Sequence, residues 1–475
     1  MISPCPKTQL IVTIECKQKS KCHLLTEKLQ DRSQCFKRGK IYTRGYFVQK
    51  YKIHISYQQA WRGKDYAIQQ IRGSPYEAFE MLPYYCFNLE QKNEGTVTRI
   101  KTDKNGVFEM LFIAIGASIH TFRNYLRPVL MIDAAHLKGL YKGTNLVAVA
   151  MDGNNQIVPI AFGICKGETG PCWTWWMSVL RECIGDNPNL LFISDRHVAI
   201  SLAVEKEFPL AFHVVCCRHL MMNLSLKNKK RKDLYWKICK AYTREDFAIS
   251  MTTLQNVQHD AYQKLCEAGV ERWSRAHCPL VRYNYMTSNS VESINAKSVI
   301  HRKDLVLKLA ETYRVMVQEC TQSGKKSMKS VTWVVKGVKN YQYEVSDGQY
   351  IRAVNLHTGI CECRKWQLSG IPCGHVISVT RFIGLTDCVQ YVADWFKKPK
   401  YQGTYSESIH ILGNMSHWDL PPNIQKAIPP RMDNPQPGRP KNTNRIKSQG
   451  YIAVDAQKRV TDVINAIIPL LFNRL

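Results

Sequence analysis

Residues 128–168 read PVLMIDAAHLKGLYKGTNLVAVAMDGNNQIVPIAFGICKGE. Three apolar runs alternate here with polar turns: VLMI ends on Asp133, NLVAVAM ends on Asp152, and after the turn GNNQ comes IVPIAFGIC. Runs of this length, bounded by Gly, Asn and Asp, are strands, and GNNQ makes a hairpin of the last two. CWTWWMSVLRECI (172–184) follows as an amphipathic crossover helix. Then come a strand in NLLFISDRH (189–197), a helix AISLAVEKEF, a strand FHVVCCRH (212–219) and a long basic helix beginning LMMNLSLKNKKRK.

The order βββαβαβα is that of a ribonuclease H-like α/β core. In such a core the strand after the crossover helix lies parallel to the first strand and beside it, so Asp133 and Asp195 emerge together. An aspartate at a strand end ordinarily caps a turn. Two crowded carboxylates repel unless a cation lies between them, and a magnesium or manganese pair on oxygen ligands is the usual device for attacking phosphodiesters. Residues 221–280 have a mainly helical pattern and form a helical insertion within a core of about 126–320. A long helix then starts near Asn289, and Glu292, three residues on, has the spacing of a capping box.

The second decisive stretch is YIRAVNLHTGICECRKWQLSGIPCGHVISVTRF (350–382). Cys361, Cys363, Cys373 and His375 give Cys-x-Cys, nine residues, Cys-x-His, a soft four-ligand set suited to a tetrahedral, structural zinc. Cys361 and Cys363 are expected on one face of a strand, with PCGH turning into a helix, in a small domain of about 340–385.

The chain has 475 residues, 66 Lys and Arg against 38 Asp and Glu, and a formal net charge of +28. That length exceeds one core and that charge calls for a polyanionic partner such as DNA. No run reaches the roughly 18 apolar residues of a membrane span, VINAIIPLLFNRL being interrupted by Pro469, so a soluble protein with no membrane partner is expected. The 18 cysteines and a start without a signal-peptide pattern point to a reducing compartment.

Around the core, residues 1–75 form a basic helical module with Ala60, Trp61, Ala67 and Ile68 near helical spacing. Residues 76–125 are a helical and strand connector, with Ser74 as cap, Pro75 at the first helical position and VFEMLFIAIGASIHTF as a strand or hairpin. Residues 398–475 are a basic, proline-rich tail. Lys229, Lys230 and Arg231 in KNKKRK, and Arg439 in NPQPGRPKNTNRIKS, are candidate DNA contacts, against the ordinary alternative of solvated basic surface. Trp236 and Trp273 are candidates for base stacking or for burial, and Glu168 and Asp152 are rival acids.

Together LMIDAAHLKGLYKGTNLVAVAMDGNNQ, ISDRH, CCRHL and TSNSVESINA resemble plant Mutator-like element (MuDR-type) transposases over about residues 50–445. The resemblance implies a ribonuclease H-like core with an Asp, Asp, Glu triad at Asp133, Asp195 and Glu292, and places the signature Cys216 and His219 near it. The downstream motif, with Trp366 and Pro372, resembles the SWIM-type zinc finger. The resemblance further implies a DNA transposase of the nucleus, oligomeric when active, cutting terminal repeats and joining them to target DNA with magnesium or manganese. The alternatives are a domesticated DNA-binding regulator that no longer cuts, and a nuclease of RNA.

Overall fold

The computed structural model describes residues 74–430 apart from 140, 299–300, 319–333, 340 and 349. The basic module expected over residues 1–75 falls almost wholly outside them, as does Arg439.

The chain enters through α1 (Pro75–Glu80) and α2 (Leu82–Lys92). Ser74 and Glu77 close the first turn of α1 as a reciprocal capping box with Pro75 at its start, as the sequence suggests. The connector is then corrected. β1 (Val97–Thr102) and β2 (Phe108–Ala114) form a hairpin that joins the main sheet, and only the first half of VFEMLFIAIGASIHTF is strand. Gly116–Tyr125 is a helix, α3.

β3 (Val129–His136), β4 (Thr144–Met151) and β5 (Ile157–Cys165) run antiparallel, as PVLMIDAAH, NLVAVAM and IVPIAFGIC predict. Next come α4 (Gly170–Ile184), β6 (Leu191–Ser194), α5 (Val198–Glu207) and β7 (Phe212–Val215). The sheet has seven strands among the described residues, in the order β1-β2-β5-β4-β3-β6-β7. β6 pairs with β3 in parallel, and β7 with β6. Strands covered on both faces read as continuous apolar runs. One face packs on α4 and α5 through Trp173, Trp176, Met177 and Ile200, and the other packs on α1, α2 and the helices after the insertion. Burying each such side chain contributes about 1.5–3 kcal/mol.

The long basic helix is also corrected. α6 (Cys217–Met222) stops at Asn223, and α7 (Lys229–Cys239) starts afresh with the Asn228 side chain capping Arg231 N–H at 2.9 Å. Asparagines at both positions offer the backbone a turn in place of a continuing helix. α7, α8 (Arg244–Val257), α9 (His259–Glu267) and α10 (Val270–Trp273) make a helical block with its own core around Tyr235, Leu254, Leu265 and Trp273. α11 (Asn289–Lys297) and α12 (Val306–Gln318) replace the single long helix and return to the sheet.

A four-stranded sheet follows: β8 (Val334–Lys339), β9 (Gln342–Ser346), β10 (Ile351–Asn355) and β11 (Ile360–Cys361), with α13 (Lys365–Ser369) and α14 (Gly374–Phe382). Residues 398–430 are no free tail. After α15 (Lys398–Thr404), Leu412 enters the main core, Asn93 and Asn88 bond the backbone of His410 and Asp419, and Ile428 bridges to Val107. No helix among the described residues is long and apolar enough to cross a membrane.

Candidate active site and zinc centre

The last parallel pair of β3 and β6 joins Met131 to Ile193, and two residues beyond it stand Asp133, still within β3, and Asp195, just past the end of β6. Val129 to Ile132 are buried, and Asp133 is the first residue of β3 to reach partial exposure. Burial, followed by the charge of Asp195, pushes the Asp133 carboxyl up to about 7, with Glu292 adding and the Ala134 N–H and His219 opposing. Asp195 also accepts the His197 N–H at 3.0 Å, which shapes the turn into α5.

Glu292 does not close a capping box. Ser288 is the cap residue, no side-chain bond caps the helix, and Glu292 Oε2 lies 2.9 Å from Arg218 Nη1. Its other oxygen, Oε1, is buried without a hydrogen bond, 3.6 Å from His219 Nε2. Arg218 also donates to Asn289 Oδ1 at 3.2 Å.

Cys216 stands at the junction of β7 and α6. Its N–H bonds the Ser194 carbonyl at 2.7 Å, and its sulfur accepts the Ser288 N–H at 3.3 Å. That residue thereby links the end of β6 to the start of α11, and His219 one turn on faces Glu292. Burial pushes the Cys216 thiol up, but His219 and the Ser288 N–H more than offset this and leave it below its ordinary value. His219 is pushed up to about 9, first by its pairing with Cys216, against burial and with help from Glu292 and Asp133.

Two residues that the sequence reading passed over complete the surroundings. Asn295 Nδ2 donates to Asp133 Oδ2 at 3.0 Å, and Arg302 bonds both the Asn295 carbonyl (3.1 Å) and the His136 carbonyl (3.2 Å). The signal for Asn295 was its spacing, one helical turn after Glu292 in ESIN.

Among the described residues the oxygens of Asp133, Asp195 and Glu292 are not gathered as tightly as the finger ligands, but acids that act on one another by charge, one with a buried oxygen that makes no hydrogen bond, fit a hard divalent cation in donor chemistry. The rival acids have other partners: Asp152 accepts the N–H groups of Asn154 (2.9 Å) and Gln156 (2.6 Å) in the hairpin turn, and Glu168 accepts from Trp173 Nε1 at 3.3 Å. Trp273 is fully buried and donates to the Leu265 carbonyl, so it stacks on no base, whereas Trp236 is half-buried. Lys229 and Lys230 are exposed, and Arg231 reaches Gln258 at 3.2 Å.

In the finger, the ligand atoms of Cys361, Cys363, Cys373 and His375 lie within 4.8 Å of one another, the set among the described residues gathered tightly enough for one ion. Sγ of Cys361 is 3.4 Å from that of Cys363, and His375 Nδ1 is 3.7 Å and 3.8 Å from the sulfurs of Cys361 and Cys373. Tetrahedral zinc with bonds of about 2.0–2.3 Å needs ligand separations of roughly 3.3–3.8 Å, so these separations fit. His375 Nε2 meets Asp347 Oδ2 at 3.3 Å, which turns Nδ1 to the sulfurs.

The expected strand alternation of Cys361 and Cys363 is corrected: β11 ends at Cys361, and a turn brings Cys363 round, with Arg364 left-handed at φ 59°. Gly370, at φ 74°, then reverses the chain toward Cys373 where a Cβ would press on Ala393 and Phe396 at 3.1 Å. Arg364 Nη1 donates to the Ala276 carbonyl at 3.0 Å, tying the finger to the end of the helical block.

Residues 129–223 match the family model of the MULE transposase domain, and residues 354–383 match that of the SWIM zinc finger. The chain thus carries a MULE-type transposase domain followed by a zinc-binding SWIM finger, and that pairing suggests a function on DNA. No curated protein matches it. Among solved structures, a chain of the cryo-EM structure of the simian T-cell lymphotropic virus intasome in complex with PP2A regulatory subunit B56 gamma is similar at 8% identity, with a TM-score of 0.16, over 51% of this chain and 83% of that one. A likeness at that score carries no structural argument.

Proposed function

We propose that this protein is a DNA transposase with a ribonuclease H-like core in which Asp133, Asp195 and Glu292 hold magnesium or manganese. The observation that carries the reading is that Asp133 within β3, Asp195 just past the end of β6 and Glu292 on α11 are neighbours, with the charges of the other two acting on Asp133. The strand order and the helical block between β7 and α11 support the core assignment.

A bound divalent pair supplies the charge that activates water, and then a freed 3′-hydroxyl, for in-line attack on phosphodiesters. The chain's own part is to hold three carboxylates on separate elements, to orient Glu292 through Arg218 and His219, and to bind phosphates with its basic surface. The four finger ligands leave zinc no open position, so that site is structural, serving the fold and DNA or protein contact. Terminal repeats and target DNA are the substrates, a homo-oligomer is the working form, and the nucleus is the place where such DNA is met.

The test is strand cleavage by the purified chain in magnesium or manganese on duplex DNA, RNA and RNA–DNA hybrid. Cleavage and strand transfer confined to DNA support the reading. Cleavage of RNA or hybrid alone makes it a nuclease of another class, and DNA binding without cleavage in either metal makes it a regulator.

A further inference from the structure

Asn295 is more than nine-tenths buried, yet its amide reaches into the acid cluster. Nδ2 donates to Asp133 Oδ2 at 3.0 Å, while Oδ1 is buried with no hydrogen-bond partner. A carboxylate ionised for a cation only accepts, so in that state the NH2 side faces Asp133. The main chain at this residue is clamped as well. Its carbonyl takes bonds from Arg302 Nη2 at 3.1 Å and Ser298 Oγ at 3.1 Å, and Arg302 Nη1 spans to the carbonyl of His136, the last residue of β3. One helix therefore presents Glu292 and, a turn later, the donor that holds the acid of the facing strand.

We propose that Asn295 is a positioning residue for the metal ligand Asp133, which rests on the assignment of the acids made above. The carboxylate of Asp133 turns about two side-chain bonds, and a cation binds well only where that freedom has already been removed. The amide removes it by engaging one oxygen and leaves the other for the ion. A neutral donor suits this role, because a lysine or arginine there would neutralise the charge a cation needs, and an aspartate would add a further repelling acid. The chain accepts a buried Oδ1 without a hydrogen bond to keep this one, a desolvation cost that no packing role requires.

The experiment titrates manganese into the zinc-loaded full-length chain by calorimetry, comparing the parent with Asn295→Ala, Asn295→Leu and Asp133→Asn. Leucine keeps the branched shape of the side chain, fills the site and loses the donor, so it reports on the bond even where alanine loosens the fold. The expected result is binding about tenfold weaker in both Asn295 variants, with melting close to the parent, and a matching tenfold rise in the manganese concentration for half-maximal cleavage at an unchanged plateau. A residue of purely structural role would lower the plateau and leave the midpoint in place. Leucine or alanine variants that bind manganese as the parent does, beside an Asp133→Asn chain that has lost it, overturn the positioning role and leave the acids standing. An Asp133→Asn chain that binds like the parent overturns the assignment of the acids, and the role of Asn295 falls with it.

Discussion

Asp133 illustrates how little of a functional residue is written at its own position. Four apolar residues before it predict a buried strand, but the expected strand end at Asp133 is corrected, since pairing with β4 carries β3 on to His136, and an aspartate after such a run can also be a turn cap, the part Asp152 plays in the next hairpin. What separates the two is the neighbour supplied by β6, which the strand order makes readable. Glu292 was less legible: its spacing suggested a cap, and only the fold reveals its pairing with Arg218 and His219. Asn295 offered only its spacing from Glu292, and Arg302 offered nothing, because their partners on β3 lie more than 160 residues away in the chain. The raised carboxyl of Asp133 has a consequence for stability. With about 7 in the folded chain against an ordinary 3.8, folding is favoured by the protonated form, so this contribution is full below about pH 4 and is lost as pH rises to 7. The whole difference corresponds to roughly 4 kcal/mol, and partial exposure reduces it to about 2 kcal/mol. Without added magnesium or manganese, Asp133→Asn should therefore melt like the parent at pH 4 and above it at pH 8, a gap that thermal melts across pH will show or deny.

Among the helices and strands, long apolar strands with turn residues between them were read correctly from the sequence, and elements defined by their partners were not. β1 is half-exposed and carries Arg99 and Lys101, so no apolar run marks it within the connector before β2 pairs with it. Residues 398–430 look like a basic tail, yet Asn93 and Asn88 recruit their backbone to the core. In the finger, the ligand spacing was legible while the turn at Cys363 and the support of Asp347 were not. The finger has a small core of its own, built round Val345, Val354, Trp366 and Val376 and the cysteines themselves. A core that small relies on its ion, and structural zinc binding of this kind is worth on the order of 10 kcal/mol. Zinc analysis of the full chain should give one ion, Cys373→Ser should lose it, and chelation should expose the amides of 351–383 to hydrogen exchange before those of the main sheet. Unchanged exchange there in chelator would remove the structural role.

Across the chain as a whole, the excess of positive charge was plain from composition, while its arrangement belongs to the fold. A net charge of +28 predicts DNA binding dominated by release of counterions from phosphates. Between 50 and 200 mM salt the affinity for duplex DNA should fall by at least about a hundredfold, and a flat profile in a filter or anisotropy titration would exclude the basic surface as the main contact.

The proposed function stands or falls with three acids, from β3, the end of β6 and α11, acting as one metal-holding set. Cleavage of duplex DNA in manganese is compared for the parent and for Asp133→Asn, Asp195→Asn and Glu292→Gln, with melting and DNA affinity recorded on the same preparations. Each variant should fold and bind DNA as the parent does and cut at least about a thousandfold more slowly, since a neutral amide cannot offset the cations' charge. A folded Asp133→Asn chain that cuts at the parental rate would refute the three-acid site.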